Sequence, residues 1–172
     1  MTLVVFETHA TSEDNEAGIA TGWLPGRLSA AGREQARALG ARRRDDAIDA
    51  VYSSDLARAV ETAELAFGGS DIPLFLNWRL RECDYGELNG APRAVLDEQR
   101  AARVAAPWPG GESWAQAVAR VGRALDDLPA GRVVVIGHVA TRWALEQRVH
   151  GRSVAELAAE EFVWQPGWEY RL

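Results

Sequence analysis

The run Arg132–His138, "RVVVIGH", constrains the fold more than any other stretch of the chain. Four consecutive branched aliphatic residues leave no polar side, so a strand built from them must be covered on both faces, as a central strand of an α/β sheet is. "TLVVF", Thr2–Phe6, repeats the pattern at the N-terminus and also runs into a histidine, His9, within "ETHATSEDN". "AVYSS" reads as a shorter third strand over Ala50–Ser53. Helical spacing fills the intervals. In "LSAAGREQARALGARRR", Ser29 caps a helix whose apolar side includes Ala36, Leu39 and Ala41. In "DLARAVETAELAF", Leu56, Ala59, Val60, Ala63 and Phe67 fall on one face. "APRAVLDEQRAARVAA" also reads as helix, as does "SWAQAVARVGRALDDL" opening at Ser113, while "VATRWALEQRVHG" is a helix stopped by Gly151. "PLFLNWRLRECDYGELNG" reads as extended residues followed by a glycine-bounded loop, and the tail "EEFVWQPGWEYRL" as a hairpin around Pro166-Gly167. Strands alternating with helices predict a three-layer α/β/α sandwich with a mostly parallel central sheet. No repeat, low-complexity tract or linker divides residues 1–172, so one domain is expected.

Composition limits the partners. With 19 basic and 25 acidic side chains the formal charge is −6, which disfavours nucleic acid and anionic membrane surfaces, since both need a broad cationic face. Any anion this chain handles must meet local positive charge. One cysteine, Cys83, excludes an internal disulfide and fits a reducing compartment. No stretch approaches the ~18 apolar residues of a membrane span, and no basic-then-apolar leader opens the chain, so a cytoplasmic location is expected. Seven tryptophans read mainly as core or interface residues, and a tryptophan-rich tail makes a homodimer an open expectation.

In an open α/β sheet, ligands bind beyond the carboxyl ends of the strands. Three strands end there in polar residues: His9, Ser53-Ser54 leading to Arg58, and His138. A phosphate monoester suits such an edge. Attack on phosphorus needs a nucleophile usable near neutral pH, donors for the non-bridging oxygens, and an acid for the leaving oxygen. His9 fits the first role, Arg58 and His138 the second, and Glu82 the third. Taken singly, each has a plainer reading as a solvated loop or helix-surface residue; their joint placement after strands favours chemistry. His150, at a helix end, reads as a surface or capping residue, and the three histidines lack the short pairing of a zinc site. No metal or cofactor is expected.

The motifs resemble those of the histidine phosphatase superfamily, also called phosphoglycerate mutase-like. "THATSEDN" is similar to the family's Arg-His-Gly-x-Ser/Thr-x-x-Asn at His9, Ser12 and Asn15. "VYSSDLARAVETAE" is similar to Ser-Ser-Asp-Leu-x-Arg-Ala-x-x-Thr-Ala, "LRECDYGELNG" to the loop that supplies the acid, and "VVVIGHVATRWAL" to the strand-His-helix unit. "GWLPGRLSAAGREQA" and "PGGES" extend the resemblance in order along almost the whole chain. It implies a phosphoglycerate mutase-like fold and a metal-free reaction on a small phosphorylated substrate. His9, Glu82 and His138 would be catalytic, and Arg58 with Thr8, Ser12 and Asn15 would surround the substrate. His9 would carry the phosphoryl group until water removes it.

Thr8 stands where the family has arginine, and Ala10 where it has glycine. A charge-assisted hydrogen bond contributes about 1.5–3 kcal/mol, roughly 10- to 150-fold; an arginine acting on the transition state contributes about 10³–10⁵. Arg27 and Arg81 are the candidate substitutes, each with the plainer reading of a solvated surface charge. Alternatives to a phosphatase are a phosphoglycerate mutase-type isomerase, a degenerate member that binds an anionic ligand or partner, or acid-base chemistry on a non-phosphorylated substrate.

Overall fold

A computed structural model describes residues 1–172. Its strands are β1 (Thr2–Thr8), β2 (Ile19–Ala20), β3 (Ala50–Ser53), β4 (Leu74–Leu76), β5 (Ala91–Pro92), β6 (Gly131–Gly137) and β7 (Trp168–Arg171). Its helices are α1 (Glu13–Glu16), α2 (Ala30–Arg42), α3 (Ala57–Phe67), α4 (Arg93–Gln99), α5 (Trp114–Asp126), α6 (Val139–His150) and α7 (Val154–Ala158). The main sheet runs β4-β3-β6-β1-β7. Pairings among the first four are parallel, and β7 alone is antiparallel, against β1. The remaining pair, β2 with β5, is a separate antiparallel ribbon.

The apolar runs behave as their composition requires. Val133, Val134, Val135 and Ile136 are all fully buried, each contributing roughly 1.5–3 kcal/mol relative to exposure. Alternation then divides them between two cores. Val4, Phe6, Val133 and Val135 pack with residues of α5, α6 and α7. Val5, Val134 and Ile136 pack on the other face with Leu39 of α2 and with Ala59, Ala63 and Phe67 of α3. Helices therefore cover both faces of a mostly parallel sheet, the expected sandwich.

Local signals place the helices. Ser29 accepts the Gly32 N–H at 3.1 Å, Ser113 and Gln116 form a reciprocal capping box, and Gly151 ends α6 at φ 68°. Four expectations change. Ala41 is exposed rather than on the apolar side of α2. The helix expected over 91–106 shortens to α4 and a 3₁₀ turn at Ala101–Arg103, because Ala91–Pro92 pair with β2 instead. Ser153 opens an unanticipated short helix, α7, through a capping box with Glu156. The C-terminal hairpin does not form: residues 159–165 run without a strand, and Trp168 pairs with Phe6 of β1. A sheet edge next to the buried Val4–Phe6 run of β1 offers more apolar contact than a self-paired tail, and Trp168 packs 5.5 Å from the Phe6 ring.

Candidate active site

Parallel neighbours end at one edge, and the register aligns them closely. His9 follows β1 and its N–H donates to the Gly137 carbonyl at 3.0 Å; Ser54 follows β3 and donates to Ile136 at 3.0 Å. His138 is the N-cap of α6. Arg58 points back from the first turn of α3. A cleft of about 280 Å³ opens here, lined by Thr8, His9, Arg58, Glu82, His138 and residues farther out.

The geometry defines a protonation state for each imidazole. Nδ1 of His9 lies 2.7 Å from the Ala10 carbonyl, which can only accept, so the neutral ring carries its proton on Nδ1 and leaves Nε2 unprotonated. Nε of Arg58 donates to its lone pair at 3.3 Å. Burial, reinforced by the Arg58 charge, pushes the His9 pKa down to about 3, so the ring is neutral at pH 7. His138 sits 5.0 Å away, ring to ring, and is held well below its ordinary pKa by burial, then by Arg58 and His9. Its Nδ1 lies 3.5 Å from Nη2 of Arg58. Its buried Nε2 has no partner, a donor available to a ligand.

Arg58 is 3% exposed. It donates to the carbonyls of Gly22 at 2.9 Å and Leu24 at 3.2 Å, and to the histidines. No carboxylate pairs with it. Gly22 makes this approach available: at φ +55° it is in the left-handed region, and a Cβ there would stand 1.9 Å from Oδ1 of Asn89. A buried cation without a counter-charge is costly unless an anion joins it.

Glu82 packs under the first turn of α6. Its Oε1 accepts from the N–H groups of Cys83 at 2.9 Å and Ala140 at 3.1 Å, and its Oε2 from Val139 at 3.2 Å. Burial nevertheless raises its pKa, outweighing those bonds and Arg58, so it holds a proton more readily than a free carboxyl.

The other expected residues divide. Thr8, ending β1, and Asn15 both line the cleft. Ser12 does not: it is fully buried, and its hydroxyl accepts the Asn15 N–H while Asn15 Oδ1 accepts the Ser12 N–H. Its role is to hold the loop after His9. Neither proposed substitute arginine reaches the cleft. Arg27 is exposed and pairs with Glu13 at 2.7 Å; Arg81 makes a two-pronged pair with Asp55 at 2.7 and 2.8 Å and stacks over Trp23. His150 closes the far end of α6, about 18 Å from His138 by helical rise, so the three histidines do not meet. Burial raises the Cys83 thiol pKa, which disfavours the nucleophilic thiolate.

Sequence reasoning missed Arg120. It is 3% exposed, donates to the carbonyls of Arg79, Arg81 and Glu82, and forms a two-pronged pair with Glu112 at 2.7 and 2.6 Å. With Trp23, whose indole N–H donates to the Glu82 carbonyl at 2.7 Å, it holds the backbone that carries Glu82. The available signal was a charge set among Ala117, Val118, Val121 and Ala124 on the apolar face of α5.

A mostly parallel sheet with two histidines, a buried unpaired arginine and a glutamate at its carboxyl edge defines a phosphoglycerate mutase-like α/β domain. The sequence comparison agrees: residues 4–163 match the model for histidine phosphatase superfamily (branch 1), and the chain belongs to that family. Phosphoglycerate mutase 1 of Saccharomyces cerevisiae is 37% identical over 99 residues, which make up 55% of this chain and 40% of the yeast protein. The chain thus matches less than half the length of the curated mutases. A mycobacterial glucosyl-3-phosphoglycerate phosphatase in complex with VO3 superposes with a TM-score of 0.80 at 26% identity, covering 91% of this chain and 86% of that one. YhfR of Bacillus stearothermophilus shares the fold, with a TM-score of 0.84 at 24% identity over 96% and 88% of the two chains. Phosphatases and phosphoglycerate mutases both occur among these relatives.

Proposed function

We propose that this chain, acting as one domain, is a phosphatase that hydrolyses a small phosphorylated metabolite through a phosphohistidine on His9. The observation that carries the reading is the His9 tautomer. The Ala10 carbonyl fixes the proton on Nδ1, so the Nε2 lone pair faces the one deeply buried arginine without a carboxylate. Nε2 forms a bond to phosphorus while the bond from phosphorus to the ester oxygen breaks, and that oxygen takes its electron pair and the Glu82 proton. Arg58 and the unpartnered Nε2–H of His138 hold the non-bridging oxygens, and Thr8 and Asn15 line the same space. Water then attacks phosphorus and gives a proton to the Glu82 carboxylate. The Nε2–phosphorus bond breaks, returning the lone pair to His9. The low pKa of His9 keeps it nucleophilic and the raised pKa of Glu82 keeps it acidic, opposite shifts that match an attacking base and a proton donor.

Hydrolysis is preferred to phosphoryl transfer between positions of one substrate because the short run from Glu82 to Glu112, tied together where the Glu112 N–H donates to the Asp84 carbonyl at 2.9 Å, leaves little room for a cap that would enclose a transferred phosphoryl group. The test is release of phosphate from p-nitrophenyl phosphate and a panel of phosphorylated metabolites, in the presence of a chelator. His9→Ala should abolish turnover, and wild type quenched in alkaline detergent should carry one phosphoryl group on His9, held by a phosphorus–nitrogen bond that survives base and is lost in acid. Interconversion of 2- and 3-phosphoglycerate without phosphate release would favour the isomerase.

A further inference from the structure

We propose that Arg142 supplies the second cation of the phosphoryl site, the function that Thr8 cannot perform. This rests on the phosphoryl-binding reading of the cleft. A phosphate monoester carries close to two negative charges at neutral pH, and with both histidines neutral Arg58 supplies only one positive charge at the inner end of the cleft. Three further arginines line the cleft: Arg93, Arg100 and Arg142. Arg100 is paired with Asp97 and donates to the Glu160 carbonyl. Arg93 is half-exposed and lies 3.9 Å from the same Asp97. Arg142 has no carboxylate partner, and its buried Nε has no acceptor. Glu146, one turn farther along α6, accepts from Tyr170 at 2.7 Å and lies 3.8 Å from Arg152, so the polar group beside Arg142 is the neutral Tyr170 hydroxyl.

Its position suits the role. Arg142 lies one turn into α6 beyond His138, its N–H donating to the His138 carbonyl at 3.2 Å, and both residues line the cleft. Residues 4, 6 and 8 of β1 project to a common face, and Val4 and Phe6 there pack with Ala140, Trp143 and Ala144 of α6. Thr8 therefore points to the α6 side. The Arg142 guanidinium lies 4.9 Å over the Trp168 ring and 5.7 Å from that of Phe162, and Trp168 pairs with Phe6, two residues and about 7 Å along the strand from Thr8. Rotation about the outer bonds of the arginine carries its fork from this aromatic seat into the space a longer residue at position 8 would fill.

The experiment measures inorganic phosphate binding by calorimetry and p-nitrophenyl phosphate turnover for wild type, Arg142→Met, Thr8→Arg and the double variant. Methionine keeps an apolar stem against Trp168 and Phe162. Arg142→Met should weaken phosphate binding by about 10- to 150-fold, the equivalent of one charge-assisted hydrogen bond, and Thr8→Arg should restore most of it in the double variant. Unchanged phosphate affinity in Arg142→Met overturns the assignment and leaves the phosphatase reading intact. A wild type that neither binds nor hydrolyses, beside an active Thr8→Arg, also overturns it. Inactivity and lack of phosphate binding in both remove the phosphoryl reading itself. Should the methionine variant fail to fold, peptide mapping of phenylglyoxal modification in wild type decides the matter: phosphate must protect Arg142, and equal modification with and without phosphate overturns the proposal.

Discussion

Nε of Arg58 lies 3.3 Å from Nε2 of His9, so the buried cation points at the atom that would form the bond to phosphorus. Burial holds that imidazole neutral and the contact reinforces it, because a protonated Nε2 would place two positive charges against each other.

The same contact trades stability for function. Arg58→Met should lower turnover by about 10³- to 10⁵-fold, the range for an arginine acting on a phosphoryl transition state. Replacing an unpaired buried charge by an apolar residue of similar size should leave the urea midpoint unchanged or raise it. A fall in both stability and activity would show that the guanidinium's bonds to Gly22 and Leu24 matter more to the fold than its burial costs.

Glu82→Gln tests the acid through the leaving group. With an alkyl phosphate, whose alkoxide leaves poorly, kcat should drop by about 10²–10⁴. With p-nitrophenyl phosphate, whose phenolate needs no proton, the drop should be far smaller. Equal losses on both substrates would assign Glu82 to positioning.

Glu112→Ala leaves Arg120 buried and unpaired beneath Glu82. A cost of about 3–5 kcal/mol is expected from equilibrium urea unfolding, with a lower kcat as the Glu82 backbone loosens. The double variant with Arg120→Met should recover much of the stability without recovering kcat.

Acid should destabilise the fold through its histidines. An unfolded histidine titrates near 6.5, whereas His9 in the native state is pushed down to about 3 and His138 well below its ordinary value. Between those limits the unfolded chain binds protons that the native chain does not. Their contribution is therefore complete above pH 6.5 and lost as pH falls below it, by at most about 1.4 kcal/mol per pH unit for each ring. Glu82, with its raised pKa, acts in the opposite sense above pH 4.5, so the comparison is with His9→Asn and His138→Asn. Each should flatten the slope of unfolding free energy from pH 6.5 to 4.5, and an unchanged slope would contradict the shifts.

Much of this was legible in the residues. "TLVVF" and "RVVVIGH" had to be central strands because neither has a polar side, and a parallel pairing of the two necessarily brings His9 and His138 to one edge. Arg58 and Glu82 were readable through motifs of fixed spacing. The tail was misread as a hairpin because its turn signal at Pro166-Gly167 is local, whereas the pairing of Trp168 with Phe6 spans the whole chain.

The sequence by itself determined the sandwich, the strand ends and the types of side chain gathered there, since periodicity and capping act over a few residues. Charge pairing was decided only by tertiary structure. Arg27 and Arg81 are neutralised by Glu13 and Asp55, while Arg58 and Arg142 reach the cleft without a carboxylate. Which arginines remain available to an anion depends on carboxylates brought near by the fold, because Coulomb attraction follows distance in space and takes no account of separation along the chain.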